Sequence, residues 1–506
     1  MGAESIQSVE ALNARLADVL NLRRVSAVLD WDLQTNMPRL GAEPRSKQLG
    51  MLTRLTHGIF TSSETGQLIA DAEAAVKSLP GDSDETRIVN TARREYDQQV
   101  KIPAELAEES SKHNTLAQEV WATARANNDF KSFAPMLKKT FELARRTADS
   151  LGYKEEPYDA LIDLYEPGAK TAQISAMFAD LKPHLIELAQ AIVASPRYAE
   201  VKSLTGEFPI ATQNEVTKQI VEAIGYDFNK GRQDPAPHPF CTNFSCNDVR
   251  ITTRFDENYL PMALYASLHE AGHALYELGS PEAYDDTILA GGVSMGIHES
   301  QSRMWENLVG RSRSYCQYVL PSLVKAFPSL KDLDVDTLYR SVNLVTPSFI
   351  RVEADEVTYN LHVLLRFELE RELLNGTLSV DNLPEAWNAK MKEYLGIEPP
   401  DDTEGVLQDV HWAGGMVGYF PTYTLGNIVS GQLWNAIRKA IPDLDANIVA
   451  GEFDPLLSWL RENIHQYGRK YLPNELIEMA TGEPLTSTYY VDYLKGKYRD
   501  LYALAK

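Results

Sequence analysis

Cysteine is scarce in this chain: Cys241, Cys246 and Cys316 are the only three in 506 residues, and no two stand at CxxC spacing. An odd number without paired spacing argues against a disulfide framework and points to reduced thiols, with a local Cys241 to Cys246 bridge as the lesser alternative. Positive charge is also in deficit, with 49 Lys and Arg against 71 Asp and Glu and a formal net charge of −22. A field of that sign repels phosphate backbones and anionic lipid, so neither nucleic acid nor a membrane surface is an expected partner. No run of about 18 apolar residues exists to span a bilayer. The first residues, "MGAESIQSVEALNARL", carry acids where a secretory signal needs a basic and then an apolar segment. The cytoplasm is the expected compartment.

What is present is a chain that is 44% hydrophobic and 24% charged, enough apolar residue to bury a large core. Apolar residues recur at three- and four-residue spacing in "SVEALNARLADVLNLRRVSAVLDW" and in "FIRVEADEVTYNLHVLLRFELERELLNG", the latter closing on Gly376. Both read as amphipathic helices. Loops are marked by "SLPGDSDE", "KGRQDPAPHPF" and "GIEPPDDTEG", none of them long enough to be an interdomain linker. The exception to helix is "FCTNFSCNDVRITTRF", where period-two alternation predicts a small β-hairpin. The expected architecture is mainly α: one domain over 1–506, with two helical lobes flanking a groove and a small sheet near the site.

The sheet leads into "ASLHEAGHALYE", residues 266–277. On a helix, Leu264, Leu268, Ala271, Leu275 and Leu278 form one stripe, while His269, His273 and Glu277 lie opposite. Two histidines one turn apart can reach a single ion, and Glu270, about 100° round from His269, can hydrogen-bond a water on that ion without being a ligand. That is the division of labour of a metal-dependent hydrolase. The plainer reading is a solvated helix face, since His-Glu-x-x-His arises by chance in about one chain of this size in a hundred. Against it, residues 255–302 hold eight acids and no Lys or Arg, so no cation nearby in sequence competes with a metal.

A catalytic zinc needs a third protein ligand and an open position. The metzincin extension requires Gly at 276 and His at 279, where Tyr276 and Gly279 stand, so that class is excluded. In "GGVSMGIHESQSRMWEN" the glycines precede a helical pattern, and Glu299, 26 residues beyond His273, is the candidate third ligand. Its alternative role is an acid at a helix N-terminus. His298 is the rival ligand.

"LHEAGHALYE" and "GIHESQSRMWEN", with "HPF" at 238–240, "DVRIT" at 248–252, "IRVEAD" at 350–355 and "GVLQDVHW" at 405–412, together resemble the carboxypeptidase Taq family of metallocarboxypeptidases. The likeness extends from "WDLQTNMPRLGAEPRSKQLG" to "GRKYLPNELIEMATGEPL". It implies a bilobed helical fold with a deep groove, similar to neurolysin and angiotensin-converting enzyme, in a homodimer that takes single residues from peptide C-termini. It also implies that His269, His273 and Glu299 bind the metal and that Glu270 is the catalytic carboxylate.

A carboxypeptidase must recognise a terminal carboxylate, which a guanidinium does with two parallel hydrogen bonds. Arg351 is the first candidate, with Asp355 a helical turn on to hold it; the plainer alternative is an ordinary i,i+4 ion pair. Arg250 is the second candidate, and its "DVRIT" strand is a place where substrate backbone can add as a β-strand. For the oxyanion, "QDVHWAGGMVGYFPTYTLGN" offers His411, Tyr419 and Tyr423. The analogy with angiotensin-converting enzyme favours His411 and Tyr423, with His411 also a possible carboxylate reader. Two His and one Glu suit Zn²⁺ first and Co²⁺ as well. A metal-dependent endopeptidase or peptidyl-dipeptidase is the alternative function, and a non-enzymatic scaffold with a closed structural metal is a more remote one.

Overall fold

The computed structural model describes residues 3–504. Its first helix, Ala3–Thr35, buries Val9, Leu12, Leu16 and Val19 at helical spacing. They pack on Ile69, Ala72, Ile88 and Val89 of helices Ser63–Val76 and Asp84–Lys101, whose starts are capped by the hydroxyls of Ser62 and Ser83. This layer also takes in Ile288 and Leu289, from the loop that follows the HEAGH helix.

Two larger apolar cores make up the lobes. One gathers helices Phe130–Leu151, Thr171–Ala194, Tyr359–Leu374 and Leu383–Leu395. The other gathers Ile210–Ala223, Leu260–Leu278, Arg313–Ala326 and Asp454–Asn463. Helix Pro421–Ala440 belongs to both, with Leu425 and Ile428 in the first core and Val429, Leu433 and Ile437 in the second. It ties the lobes together.

The expected hairpin is present as β2 (Cys241–Ser245) and β3 (Asp248–Thr253), joined on the other side by β1 (Gln233–Pro235), with order β1-β3-β2. β1 falls in a stretch whose prolines signalled only a loop. It is three residues long and ends on Pro235, so it carries no periodicity to detect. Because β1 runs parallel to β3 and β2 antiparallel, both edges of β3 are taken. The expectation that substrate backbone adds to the "DVRIT" strand is therefore corrected: only the outer edges of β1 and β2 remain.

The stretch from Phe349 to Gly376 is not one helix. It ends as expected, with Gly376 at φ +73° just past Leu374, but Arg351–Glu353 is an isolated 3₁₀ turn and the helix begins at Tyr359. Asp355 is the cause. Its carboxylate accepts from the backbone N of Val357 and Thr358 at 2.9 and 3.0 Å and from the Thr358 hydroxyl at 2.7 Å, in competition with the helical ladder.

Candidate metal centre

Three helices cross at the centre, and two glycines permit the crossing. A Cβ on Gly272 of helix Leu260–Leu278 would lie 2.6 Å from Cα of Ser302, and one on Gly426 of helix Pro421–Ala440 would lie 2.6 Å from Cβ of Glu299. Both Ser302 and Glu299 belong to helix Met295–Arg303. Ser294 caps that helix through the backbone N of Ile297 at 3.0 Å. The buried carboxylate of Glu166 takes the backbone N of Gly296 at 2.9 Å and the Ser294 hydroxyl at 3.0 Å. Burial pushes the Glu166 carboxyl up to about 7.

The crossing brings together three of the side chains expected as ligands. Glu299 Oε2 lies 3.7 Å from His269 Nε2 and 3.6 Å from His273 Nε2, and the three donor atoms all fall within 4.8 Å of one another. Tetrahedral ligand edges around a zinc-sized ion are roughly 3.3 to 3.6 Å. The donor set fits one divalent ion. His298, the rival ligand, stands behind His273 rather than in this triangle.

The far side of each donor is held. His269 Nδ1 donates to Glu306 Oε2 at 2.8 Å, and Glu306 in turn receives Arg303 Nη1 at 2.9 Å. His273 Nδ1 meets His298 Nδ1 at 2.6 Å, and His298 Nε2 meets Glu277 Oε1 at 2.6 Å. These contacts fix the tautomers. Glu277 accepts only, so His298 carries its proton on Nε2 and receives the His273 proton at Nδ1, leaving His273 Nε2 bare toward the site. Glu277 is further held by the side chain of Asn243 and by Gly292 N at 3.1 Å.

One cation does reach the centre. Residues 255–302 contain none, but Arg303, the next residue, places Nε 2.7 Å from Glu299 Oε1. The inference of a cation-free site from that stretch is corrected by helical spacing, since Arg303 is four residues from Glu299. The pair leaves Oε2 as the inward oxygen. Glu306 sits in a π-helical turn, Met304–Val309, and burial, which favours its neutral form, is outweighed by Arg303 and His269, so that it is held well below the usual carboxylate range. Glu270 is buried beside the triangle. Burial pushes its carboxyl up to about 7, against the opposing pull of His269.

Arg351 is 4% exposed and is not paired with Asp355. Its Nη2 and Nε donate to Asp409 Oδ1 at 2.8 and 3.2 Å, and its Nη1 donates to the Tyr359 hydroxyl at 3.0 Å. Asp355 is spent on the backbone of its own turn and of Thr346. The expected Arg351–Asp355 pair is thereby corrected, because the two residues do not share a helix. Asp409 also accepts from Arg366 Nε at 2.6 Å. Gln408 Oε1 holds the backbone N of Arg351 at 2.8 Å, so consecutive residues of "QDVHW" secure Arg351 by backbone and side chain.

His411 and Tyr423 are brought together, Nε2 to hydroxyl at 3.2 Å, with Tyr419 packed edge-on to Tyr423 at 5.3 Å between centroids. Burial pushes the Tyr423 and Tyr419 phenols up, so they stay protonated donors. Burial lowers His411 to about 4, against the attraction of Asp409. Tyr359 links the two groups of residues: its hydroxyl meets Arg351, and the Arg303 guanidinium lies 4.5 Å from its ring centroid. Arg250 is elsewhere engaged. It pairs with Asp248 at 2.9 and 2.8 Å and lies between Trp31 and Phe244, 4.4 and 4.8 Å from their ring centroids.

Residues 11–498 match the family described as Carboxypeptidase Taq (M32) metallopeptidase. The chain belongs to that family. Carboxypeptidase 1 of Bacillus subtilis is 40% identical over 490 residues, 96% of this chain and 97% of its own length. Thermostable carboxypeptidase 1 of Pyrococcus furiosus is 40% identical over 494 residues, 97% of this chain and 98% of its own length. The crystal structure of an M32 carboxypeptidase from Deinococcus radiodurans superposes with a TM-score of 0.95 at 41% identity, covering 98% of this chain and 100% of that one. As a carboxypeptidase Taq family member the protein is an enzyme that hydrolyses peptides, and membership implies a divalent metal ion, which His269, His273 and Glu299 fit.

Sequence reasoning missed Arg303, Glu306, Glu277, Tyr359, Arg366 and Asp409. Four of these carried a signal in their place within a quoted motif: Glu277 in "LHEAGHALYE", Arg303 and Glu306 in "GIHESQSRMWEN", and Asp409 in "GVLQDVHW". All three cysteines are free, and among the described residues no helix is long and apolar enough to cross a membrane.

Proposed function

We propose that this enzyme is a metallocarboxypeptidase that removes single residues from free peptide C-termini, with broad specificity and with Zn²⁺, or alternatively Co²⁺, held by His269, His273 and Glu299. The observation that carries the reading is the convergence of two Nε2 atoms and one Oε2 atom, each backed by a hydrogen-bonded partner. A divalent ion in such a site polarises a carbonyl and lowers the pKa of its water to about 7. Glu270 takes the proton of the attacking water and passes it to the leaving amine. Tyr423, hydrogen-bonded to His411, donates to the oxyanion that develops on the scissile carbonyl. Arg351 reads the terminal carboxylate with the N–H groups not spent on Asp409 and Tyr359, which sets the last peptide bond over the site.

Broad specificity is proposed on the family resemblance. Assembly as a homodimer is proposed on the family resemblance and a cytoplasmic location on the three unpaired cysteines; light scattering of the purified protein tests the dimer. Digestion of a mixed peptide set, followed by mass spectrometry with and without chelator, tests the activity. Stepwise loss of single C-terminal residues that stops with chelator is expected. Release of dipeptides or cleavage at internal bonds would assign a peptidyl-dipeptidase or an endopeptidase instead.

A further inference from the structure

Arg351 belongs to a buried ion cluster whose charges do not balance. Arg366 is 0% exposed; its Nε donates to Asp409 Oδ2 at 2.6 Å and its Nη1 to the carbonyl of His362 at 2.6 Å. The Trp387 ring covers it, centroid 4.4 Å away. Asp409 is thus the shared counter-ion of two guanidinium groups, one on each carboxylate oxygen. The groups in direct contact with this trio are neutral; the next carboxyl, Glu370, stands one helical turn from Arg366 and is turned to Tyr158, Trp412 and the backbone N of Gly418. Tyr359 and Tyr423 are protonated phenols, and burial together with the two arginines holds His362 well below its ordinary pKa. Within hydrogen-bonding contact, two cations share one anion, so the trio itself carries a net charge of +1 in an almost closed site. A buried charge of that kind is stable only with a partner.

We propose that Arg366 and Asp409 are positioning residues of the substrate pocket: Asp409 aims Arg351, Arg366 adds the second positive charge, and the terminal carboxylate of the peptide is the anion that completes the cluster. The proposal rests on Arg351 as the carboxylate reader and extends it to two residues that do not touch substrate. Arg366 lies on the far side of Asp409 and acts through charge. Asp409 acts through geometry, because without it two like charges repel and a solvent anion is drawn into their midst to compete with substrate. The same Asp409 Oδ1 lies 3.8 Å from His411 Nδ1, so the carboxylate that aims Arg351 also faces the partner of Tyr423.

The test compares kcat/KM for one peptide as free acid and as C-terminal amide, on the full-length metal-loaded protein and on Arg366→Gln, Arg366→Lys, Asp409→Asn and Arg351→Ala, with metal content measured for each. Inhibition by 3-phenylpropanoate and by its amide gives a readout without chemistry. In Arg366→Gln the acid-over-amide preference is expected to fall by about 10-fold or more with metal content unchanged, and 3-phenylpropanoate but not its amide should weaken in parallel. Arg366→Lys, which keeps the charge, should retain most of the preference. In Asp409→Asn the preference should fall by a similar factor, and the remaining acid turnover should become sensitive to chloride. Should one of these two variants not fold, the other decides.

Acid and amide forms losing activity together would mark Arg366 and Asp409 as merely structural and overturn the proposal. So would an unchanged preference in Arg366→Gln and Asp409→Asn while Arg351→Ala loses it. If Arg351→Ala itself keeps the full preference, the failure lies one step earlier, in the choice of Arg351.

Discussion

The ligand triangle and the arginine cluster are both buried, hydrogen-bonded and rich in charge, yet they are built in opposite ways. The triangle comes from two helical segments, Leu260–Leu278 and Met295–Arg303, and its key pair stands four residues apart. The arginine cluster draws Arg351 from a turn, Arg366 from a helix and Asp409 from a loop, 58 and 43 residues from its two partners. Helical spacing places His269 and His273 before any tertiary contact forms. Nothing local places Asp409. A centre written in local spacing keeps its donors on rigid helices, whereas one assembled by tertiary contacts depends on every member being satisfied.

Breaking the triangle should have the largest effect. Chelation should abolish turnover, and added Zn²⁺ or Co²⁺ should restore it. Circular dichroism of the apoprotein should remain helical, since the two cores do not run through the ion. Glu270→Gln should cost at least about 10² in kcat while metal content, read by atomic absorption, stays near one per chain. Loss of metal in step with activity would make Glu270 a ligand.

Breaking the arginine cluster at its outer member should cost less. Arg351→Ala should weaken kcat/KM for free-acid peptides by on the order of 2 to 5 kcal/mol. The same replacement measured on an amide peptide should change little, and the two losses should not add.

A sharper comparison comes from the second layer of the triangle. His298→Ala removes the acceptor that fixes the His273 tautomer, and competition with a chelator should reveal metal binding weakened about 10- to 100-fold. Retained affinity would show that the His273–His298–Glu277 line is packing alone.

The smallest effect is a pH dependence of stability. Glu166 has its pKa raised by burial to about 7. A carboxyl with a raised folded-state pKa contributes stability that is complete below its ordinary range and is lost as pH rises through the folded value. Glu166→Gln cannot ionise. Its melting temperature relative to the parent should therefore rise between about pH 5 and about pH 8, by the equivalent of roughly 1 to 2 kcal/mol. A constant difference across that range would mean that Glu166 stays charged.

Much of the fold was legible because it is periodic. The first helix, the hairpin Cys241–Ser245 with Asp248–Thr253, and the end of helix Tyr359–Leu374 at Gly376 all follow from spacing or from a residue with special backbone freedom. The start of that last helix was misread, since Asp355 acts on its own backbone and a pattern of apolar residues does not register a side-chain hydrogen bond. The short strand Gln233–Pro235 was missed because three residues hold no period.

The amino-acid sequence by itself determined the metal-site candidates, since 3.6-residue geometry binds His269 and His273 to one helix face with Glu270 about 100° round from His269, and Glu299 follows on the next helix. Only the tertiary structure decided the distant partners: Asp409 rather than Asp355 for Arg351, and Glu306 and His298 behind His269 and His273. The physical reason is that a carboxylate pairs with whichever donor packing brings within about 3 Å, and that distance is set by how helices cross. At Gly272 and Gly426 it is the lack of a side chain that lets them cross so closely.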